Sequence, residues 1–149
     1  MMLPQRRRLP KHKIPFRRIG SKSYIAPWIV SYLPEHYCYI EVCGGTGAVL
    51  WCKGQSSYEV FNDIDSEIYS FFKALREHSE ELISYLQLCP VSRQLVKEWG
   101  SLNPEELPLV ERAARFFMLS MLSFSGTQTP TFPVRNGYRK DGSIRKVGF

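Results

Sequence analysis

Two short apolar runs, each followed by a polar turn, organise the first half of the chain. Residues 37–42 are rich in aromatic and β-branched side chains and end at glycines, which predicts a buried strand. Residues 58–63 have the same character and end in acidic residues. A helix is predicted between these runs over residues 47–53, and a short helix before them over residues 25–33. Strand, glycine turn, helix and strand form a βαβ unit, which begins a doubly wound parallel sheet.

After the second strand, the apolar residues follow helical spacing. Helices are predicted over residues 65–75, 80–88, 92–99 and 104 to about 123. Asp65 or Ser66 is expected to cap the first of them, and Asn103 and Pro104 to begin the last. The aromatic residues expected to pack in the core are Phe71, Phe72, Phe116, Phe117, Trp28, Trp51 and Trp99. Because only two strands are evident, the pattern predicts an incomplete α/β fold with a helical insert after the second strand.

Charge is distributed unevenly along the sequence. Residues 1–34 contain eight basic residues and no acidic one, whereas residues 35–134 contain seven basic and thirteen acidic residues. Residues 135–149 contain five basic residues and one acidic residue, so the net charge of +6 comes from the two ends. Basic ends favour contact with a polyanion such as DNA, because each neutralised phosphate releases counterions. For residues 1–13, a solvated flexible arm explains the charge equally well.

The sequence gives little support for a metal site or a membrane segment. The four cysteines form no C-x-x-C pair and lie at no metal-ligand spacing from the three histidines, so reduced thiols are expected. No apolar run approaches the ~20 residues that span a bilayer. The basic N-terminus lacks the apolar stretch of a secretory signal. We therefore expect a cytoplasmic protein without a membrane span.

The strongest candidate site combines Glu41-Val-Cys-Gly-Gly-Thr-Gly47 with Asn62-Asp-Ile-Asp65. Glycines directly after a strand let the backbone turn sharply and approach a ligand. Asp63 lies nineteen positions after Gly44, at the end of the next strand, where a carboxylate can accept hydrogen bonds from both ribose hydroxyls. This arrangement predicts a site for an adenosine-containing ligand.

Electrostatics distinguishes between the adenosine cofactors. Glu41 would repel a pyrophosphate but suits the ammonium group of a methionine moiety. Leu50 occupies the position at which a dinucleotide-binding fingerprint needs a third glycine. The residues therefore favour S-adenosylmethionine over a nicotinamide cofactor.

Several motifs, in this order, resemble the Dam-like class of adenine-specific DNA methyltransferases. They are Phe16-Arg-Arg-Ile-Gly-Ser-Lys22, Leu33-Pro34, Tyr39-Ile-Glu-Val-Cys-Gly-Gly-Thr-Gly-Ala-Val49, Val60-Phe-Asn-Asp-Ile-Asp65 and the helical stretch 111–126. The resemblance covers residues 14–126. It implies a Rossmann-like S-adenosylmethionine-dependent methyltransferase fold and methyl transfer to the exocyclic amine of adenine in DNA.

The resemblance also implies individual residue roles. The cofactor-binding residues would be Gly20, Lys22, Glu41, Cys43, Gly44, Gly45, Thr46, Gly47, Asp63 and Ile64. Lys22 would lie beside the cofactor, Asp63 would hold the ribose and Ile64 would pack on the adenine ring. The chain departs from the family pattern at Arg18, where an aromatic residue is usual, and at Ser21, where a second glycine is usual. Cys43 also replaces the aromatic or small residue that is usual at its position.

The catalytic motif of the resembled family is missing. Such enzymes hold a flipped adenine with an Asp-Pro-Pro-Tyr-like motif, and no Asp, Asn or Ser in this chain precedes two prolines and an aromatic residue. We therefore assign no catalytic residue and expect a truncated enzyme or one part of a split enzyme. A second chain or a homo-oligomer would complete the sheet. The alternative is a non-catalytic module, derived from such an enzyme, that binds S-adenosylmethionine or nucleic acid.

Three regions are predicted. Residues 1–13 would form a basic flexible arm, residues 14–126 a cofactor-binding domain, and residues 127–149 a basic hairpin or the start of a target-recognition region. Two turn signals, Asn136-Gly137 and Asp141-Gly142, support the hairpin. The residues expected to contact DNA are Arg17, Arg18, Arg135, Arg139 and Lys140.

Overall fold

The computed structural model describes residues 14–123 and Gly126. The predicted basic arm 1–13 and the predicted hairpin 127–149 lie outside the described residues. The expected DNA contacts Arg135, Arg139 and Lys140 therefore also lie outside them.

The predicted βαβ unit is present in the described part of the chain. Strands β1 (Cys38–Glu41) and β2 (Tyr58–Phe61) pair in parallel, with Cys38 opposite Tyr58 and Glu41 opposite Phe61. Helix α2 (Ala48–Cys52) connects them. This small parallel sheet and its connecting helix are compatible with a methyltransferase domain.

The prediction that the first strand is buried is wrong for most of its length. Cys38 and Ile40 are exposed, and the side chains opposite them, Tyr58 and Val60, are 60% and 47% exposed. The described helices cover only the opposite face, where Tyr39 packs against α2. An apolar run indicates a strand that is suited to burial, but burial also requires a second layer on that face.

A small helical cluster precedes and covers the sheet. A 3-10 turn (Lys22–Tyr24) leads into helix α1 (Ala26–Val30). Ala26 of α1 packs against Ala48 and Val49 of α2 in a minor apolar cluster. Helix α1 is shorter than predicted, and the small side chains of Ala26 and Ala48 lie together where it packs on α2.

Four longer helices form the main core. They are α3 (Ser66–Glu77), α4 (Ser79–Leu88), α5 (Arg93–Ser101) and α6 (Leu109–Leu122). Asp65 caps α3 as predicted, since its carboxylate accepts a hydrogen bond of 2.9 Å from the Glu67 N–H. Ser92 caps α5 by accepting one of 3.0 Å from the Leu95 N–H.

The prediction of one long helix from residue 104 is wrong. Pro104–Glu106 form a separate 3-10 turn, and Asn103 caps that turn rather than α6. Leu107 is extended, with a ψ of 145°. The cause is Pro108, because a proline ring disfavours the helical conformation of the residue before it.

The core is dominated by aromatic rings, some of them predicted. Phe71 and Phe116 are buried, and Phe72 and Phe117 pack against the same cluster. Phe16, which the sequence did not single out, is 1% exposed and lies at ring-centroid distances of 5.2 Å from Phe71 and 4.9 Å from Phe116. The predicted tryptophans divide: Trp99 is buried, whereas Trp28 and Trp51 are 60% and 47% exposed, so the packing prediction is wrong for those two.

The four cysteines are free thiols. Within residues 14–123 and at Gly126, no cluster of three or more potential metal-binding side chains occurs. None of the helices described is both long and apolar enough to cross a membrane.

Candidate functional site

The loop between β1 and α2 turns back against the end of β2. The Asn62 N–H donates to the Glu41 carbonyl and the Gly44 N–H donates to the Asn62 carbonyl, both at 2.9 Å. The Gly47 N–H donates to the Gly44 carbonyl at 2.8 Å and closes the turn. Backbone hydrogen bonds therefore continue beyond the strands and fix the loop in place.

Two positions in this loop require glycine, each for a different structural reason. A Cβ at Gly44 would lie 2.1 Å from the ring of Phe61, so no larger residue fits there. Gly45 has a φ of +53°, in the left-handed region, and a Cβ added there would meet nothing within 4 Å. Gly44 is required by packing, whereas Gly45 is required by backbone conformation and borders open space.

A cavity of about 120 Å³ opens over the loop. Its walls are formed by Arg18, Ile19, Gly20, Ser21, Lys22, Glu41, Cys43, Gly44, Gly45, Thr46 and Ala48. The lining therefore brings together seven of the ten residues predicted to bind a cofactor; Gly47, Asp63 and Ile64 lie outside it. Because ligand pockets usually measure ~300–1,000 Å³, the cavity has room for only one part of a nucleoside-sized ligand.

Glu41 is the acidic residue of the cavity. It is only 8% exposed, and its carboxylate accepts a hydrogen bond of 3.1 Å from the Leu50 N–H. Burial raises the pKa of Glu41, while the Leu50 hydrogen bond and the positive charge of Lys22 oppose that rise. Burial and the charge of Glu41 raise the pKa of the neighbouring Tyr39 to about 12. The cavity thus contains a carboxylate inside it and an ammonium group in its wall.

Asp63 lies at the end of β2 and contacts the loop. One carboxylate oxygen accepts a hydrogen bond of 2.7 Å from the Gly45 N–H, and the other accepts one of 3.0 Å from the Asp65 N–H. A carboxylate offers about four acceptor positions, so each oxygen keeps capacity for a further donor. Ile64, the next residue, is fully exposed at the same edge of the sheet.

Residues 18–22 form the wall of the cavity opposite the glycine loop, and the segment 16–22 is fixed at three points. Phe16 is buried in the aromatic core, Arg18 forms an ion pair of 2.7 Å with Asp65, and the hydroxyls of Ser21 and Thr46 lie 3.0 Å apart. Sequence reasoning missed the anchoring role of Phe16. The signal for it was a single aromatic ring in an otherwise basic segment.

The two predicted DNA contacts in the described region differ in their surroundings. Arg17 is exposed, whereas the Arg18 guanidinium is already engaged by the Asp65 carboxylate. DNA contact by either residue stays a prediction.

The comparisons with known proteins agree with the sequence motifs. A family model described as D12 class N6 adenine-specific DNA methyltransferase matches residues 19–132, which is most of the chain. No curated protein matches the chain. Members of this class act on DNA and use S-adenosylmethionine as the methyl donor. The predicted resemblance is confirmed, and the chain belongs to the D12 class N6 adenine-specific DNA methyltransferase family.

Proposed function

We propose that the chain binds S-adenosylmethionine at the cavity over the glycine loop and forms the cofactor-binding part of an adenine-specific DNA methyltransferase. The main support is the buried Glu41 beside Gly45, at the carboxyl ends of two parallel strands. Ligands of open α/β sheets bind at this edge. In this proposal, residues 14–126 are the cofactor-binding domain.

The charges of the cavity suit the amino-acid end of the cofactor. That end has a positive ammonium and a negative carboxylate. Glu41 offers a carboxylate to the ammonium, and Lys22 offers an ammonium to the carboxylate. The other predicted cofactor contacts in the walls are Gly20, Cys43, Gly44, Gly45 and Thr46. Their small side chains leave space for this end of the ligand.

The nucleoside end of the cofactor would extend outside the cavity, along the end of β2. Asp63 retains acceptor capacity for the ribose hydroxyls beyond its hydrogen bonds to Gly45 and Asp65. The exposed side chain of Ile64 offers an apolar surface for the adenine ring. Gly47 contributes indirectly, because its bond to the Gly44 carbonyl closes the turn.

The bound cofactor supplies an electrophilic methyl group, and transfer to adenine needs further groups. A flipped adenine must be held and its amine must find a hydrogen-bond acceptor. The sequence has no Asp-Pro-Pro-Tyr-like motif for this task. We therefore propose that residues outside this sequence, such as those of a different chain, supply the catalytic motif. That different chain or a second copy of this one would supply the remaining strands of a Rossmann-like sheet. Arg17 and the basic residues of 127–149, including Arg135, Arg139 and Lys140, would contact DNA phosphates.

Calorimetric titration of the full chain with S-adenosylmethionine tests the binding proposal. Saturable binding is expected, and Glu41→Gln should weaken it about tenfold or more, because a hydrogen bond between charged groups is lost in a buried site. Glu35→Gln is the matched control, since Glu35 is exposed in the loop before β1. Absence of binding by the wild-type chain, or equal affinity of the Glu41→Gln variant, would refute the proposal.

Incubation of the chain with labelled cofactor and adenine-containing DNA tests whether it transfers a methyl group. We expect little or no methyl transfer by this chain alone. Robust transfer would show that another group in the chain replaces the absent motif. Salt-sensitive DNA binding without cofactor binding would instead support the non-catalytic nucleic-acid-binding module.

A further inference from the structure

Arg18 and Asp65 join two distant parts of the chain at the cavity. Arg18 lines the cavity, and its guanidinium forms an ion pair of 2.7 Å with the Asp65 carboxylate. The two side chains are 35% and 26% exposed. Asp65 also caps α3 through its other carboxylate oxygen, which accepts the Glu67 N–H at 2.9 Å. The position of the guanidinium is therefore set by a carboxylate that is itself fixed to a helix.

A circuit of hydrogen bonds surrounds this ion pair. The Asp65 N–H donates to Asp63, and the other oxygen of Asp63 accepts from the Gly45 N–H. Thr46, the next residue in the loop, contacts the Ser21 hydroxyl of the wall segment. Removing the charge of Asp65 while keeping its helix cap would thus change the electrostatics of the wall with little change in its geometry.

The cavity lining alone has an excess of positive charge. Its charged residues are Arg18, Lys22 and Glu41. Lys22 has Glu41 as a nearby opposite charge. Arg18 has Asp65, which lies outside the lining but contacts the guanidinium directly. Without Asp65, two cations would face the ligand against one anion.

We propose that Asp65 determines the ligand specificity of this cavity, because it neutralises Arg18 and so allows the wall to accept a sulfonium cation. The inference rests on the proposed cofactor binding. S-adenosylmethionine has a positive sulfonium and a net charge of +1, whereas its demethylated product, S-adenosylhomocysteine, has a neutral thioether in the same place. A wall with an unpaired guanidinium would disfavour the first ligand and affect the second much less.

A double-mutant cycle with both ligands tests this inference on the full chain. Asp65→Asn removes the charge and keeps the cap, since asparagine caps helices as well as aspartate does. We expect Asp65→Asn to weaken S-adenosylmethionine binding about three- to fivefold, the range for partly exposed charge interactions, and to change S-adenosylhomocysteine binding less than about twofold. Adding Arg18→Met to Asp65→Asn should restore most of the lost affinity, because the unpaired cation is then gone. The loss caused by Asp65→Asn should also shrink at high salt.

Two controls separate this charge effect from structural damage. Circular dichroism and the unfolding midpoint should be close to wild type for each variant, and Lys97→Met, which removes an exposed cation on α5, should leave both affinities unchanged. An equal loss of both ligands in Asp65→Asn, or a double variant as weak as Asp65→Asn, would mean that Asp65 acts only on structure and would overturn the inference. Failure of the wild-type chain to bind either ligand would refute the proposed function. If the wild-type chain binds S-adenosylmethionine but Asp65→Asn leaves the ratio of the two affinities unchanged, only this inference is overturned.

Discussion

The helical core and the two-stranded sheet use similar apolar residues with opposite results. In the helices, Ile68, Ala113 and Phe116 are completely buried. In the sheet, Ile40 and Val60 face each other across the strands, yet they are 59% and 47% exposed. The composition of the two regions therefore does not explain the difference in burial.

The difference lies in how each element finds a partner. An apolar stripe on a helix is buried by one neighbouring helix, and α3, α4 and α5 all pack on α6 within the described chain. A parallel strand needs cover on both faces and a neighbour on each edge. The helices thus provide the stability of the described region, while the sheet end provides the candidate site.

Core truncation should show the largest contrast between the two regions. Phe116→Ala should lower the free energy of unfolding by roughly 3–5 kcal/mol, because a fully buried ring is replaced by a cavity. Ile40→Ala, in the exposed face of β1, should cost less than about 1 kcal/mol. Urea denaturation followed by circular dichroism gives both values. Similar losses in the two variants would mean that the face containing Ile40 is buried in solution.

A partly buried ion-pair cluster between α3 and α6 should show the next largest effect. Glu67 pairs with Arg112 at 2.6 Å and with Arg115 at 3.2 Å. Burial lowers the pKa of Arg115, and the charge of Glu67 opposes this shift. Glu67→Gln should cost roughly 2–3 kcal/mol, somewhat below the ~3–5 kcal/mol of a fully buried pair, because it leaves a buried guanidinium without its counter-charge.

Thermal or urea unfolding measures that loss, and the chain offers a matched control. Glu77 pairs with Arg76 on the exposed side of α3, so Glu77→Gln should change stability very little. Equal effects of the two substitutions would contradict a structural role for the cluster at Glu67.

The sequence predicted those features that depend on neighbouring residues. The glycine loop, its position after a strand and the cap formed by Asp65 all follow from local steric and hydrogen-bonding rules. The parallel pairing followed from the βαβ pattern. These features and the family resemblance together predicted seven of the eleven residues that line the cavity.

Features that depend on distant contacts were missed. Phe16 is buried because rings from α3 and α6 surround it, and the Arg18–Asp65 ion pair depends on the same arrangement of distant segments. Trp51 has the residue type of a core position but lies at an exposed site. The break before α6 was foreseeable, because Pro108 constrains Leu107 locally.

The smallest effect is expected at the sheet end, where ionisation of Glu41 should lower the free energy of unfolding. Burial raises the pKa of Glu41 above its ordinary 4.5, so the folded state binds this proton more tightly than the unfolded state does. The stabilisation from the protonated form is therefore complete below pH 4.5 and is lost as the pH rises through the raised pKa of the folded state. The glutamine of the Glu41→Gln variant cannot ionise. As the pH rises from 4.5 through the raised pKa, the variant should therefore gain stability relative to wild type. Above that pKa the difference in the free energy of unfolding should stay constant. Urea midpoints from about pH 4 to about pH 8 test this. A difference between wild type and Glu41→Gln that does not change with pH would mean that folding leaves the pKa of Glu41 unchanged. In that case the sheet end would hold its carboxylate without cost, whereas the helices bury the charge of Arg115.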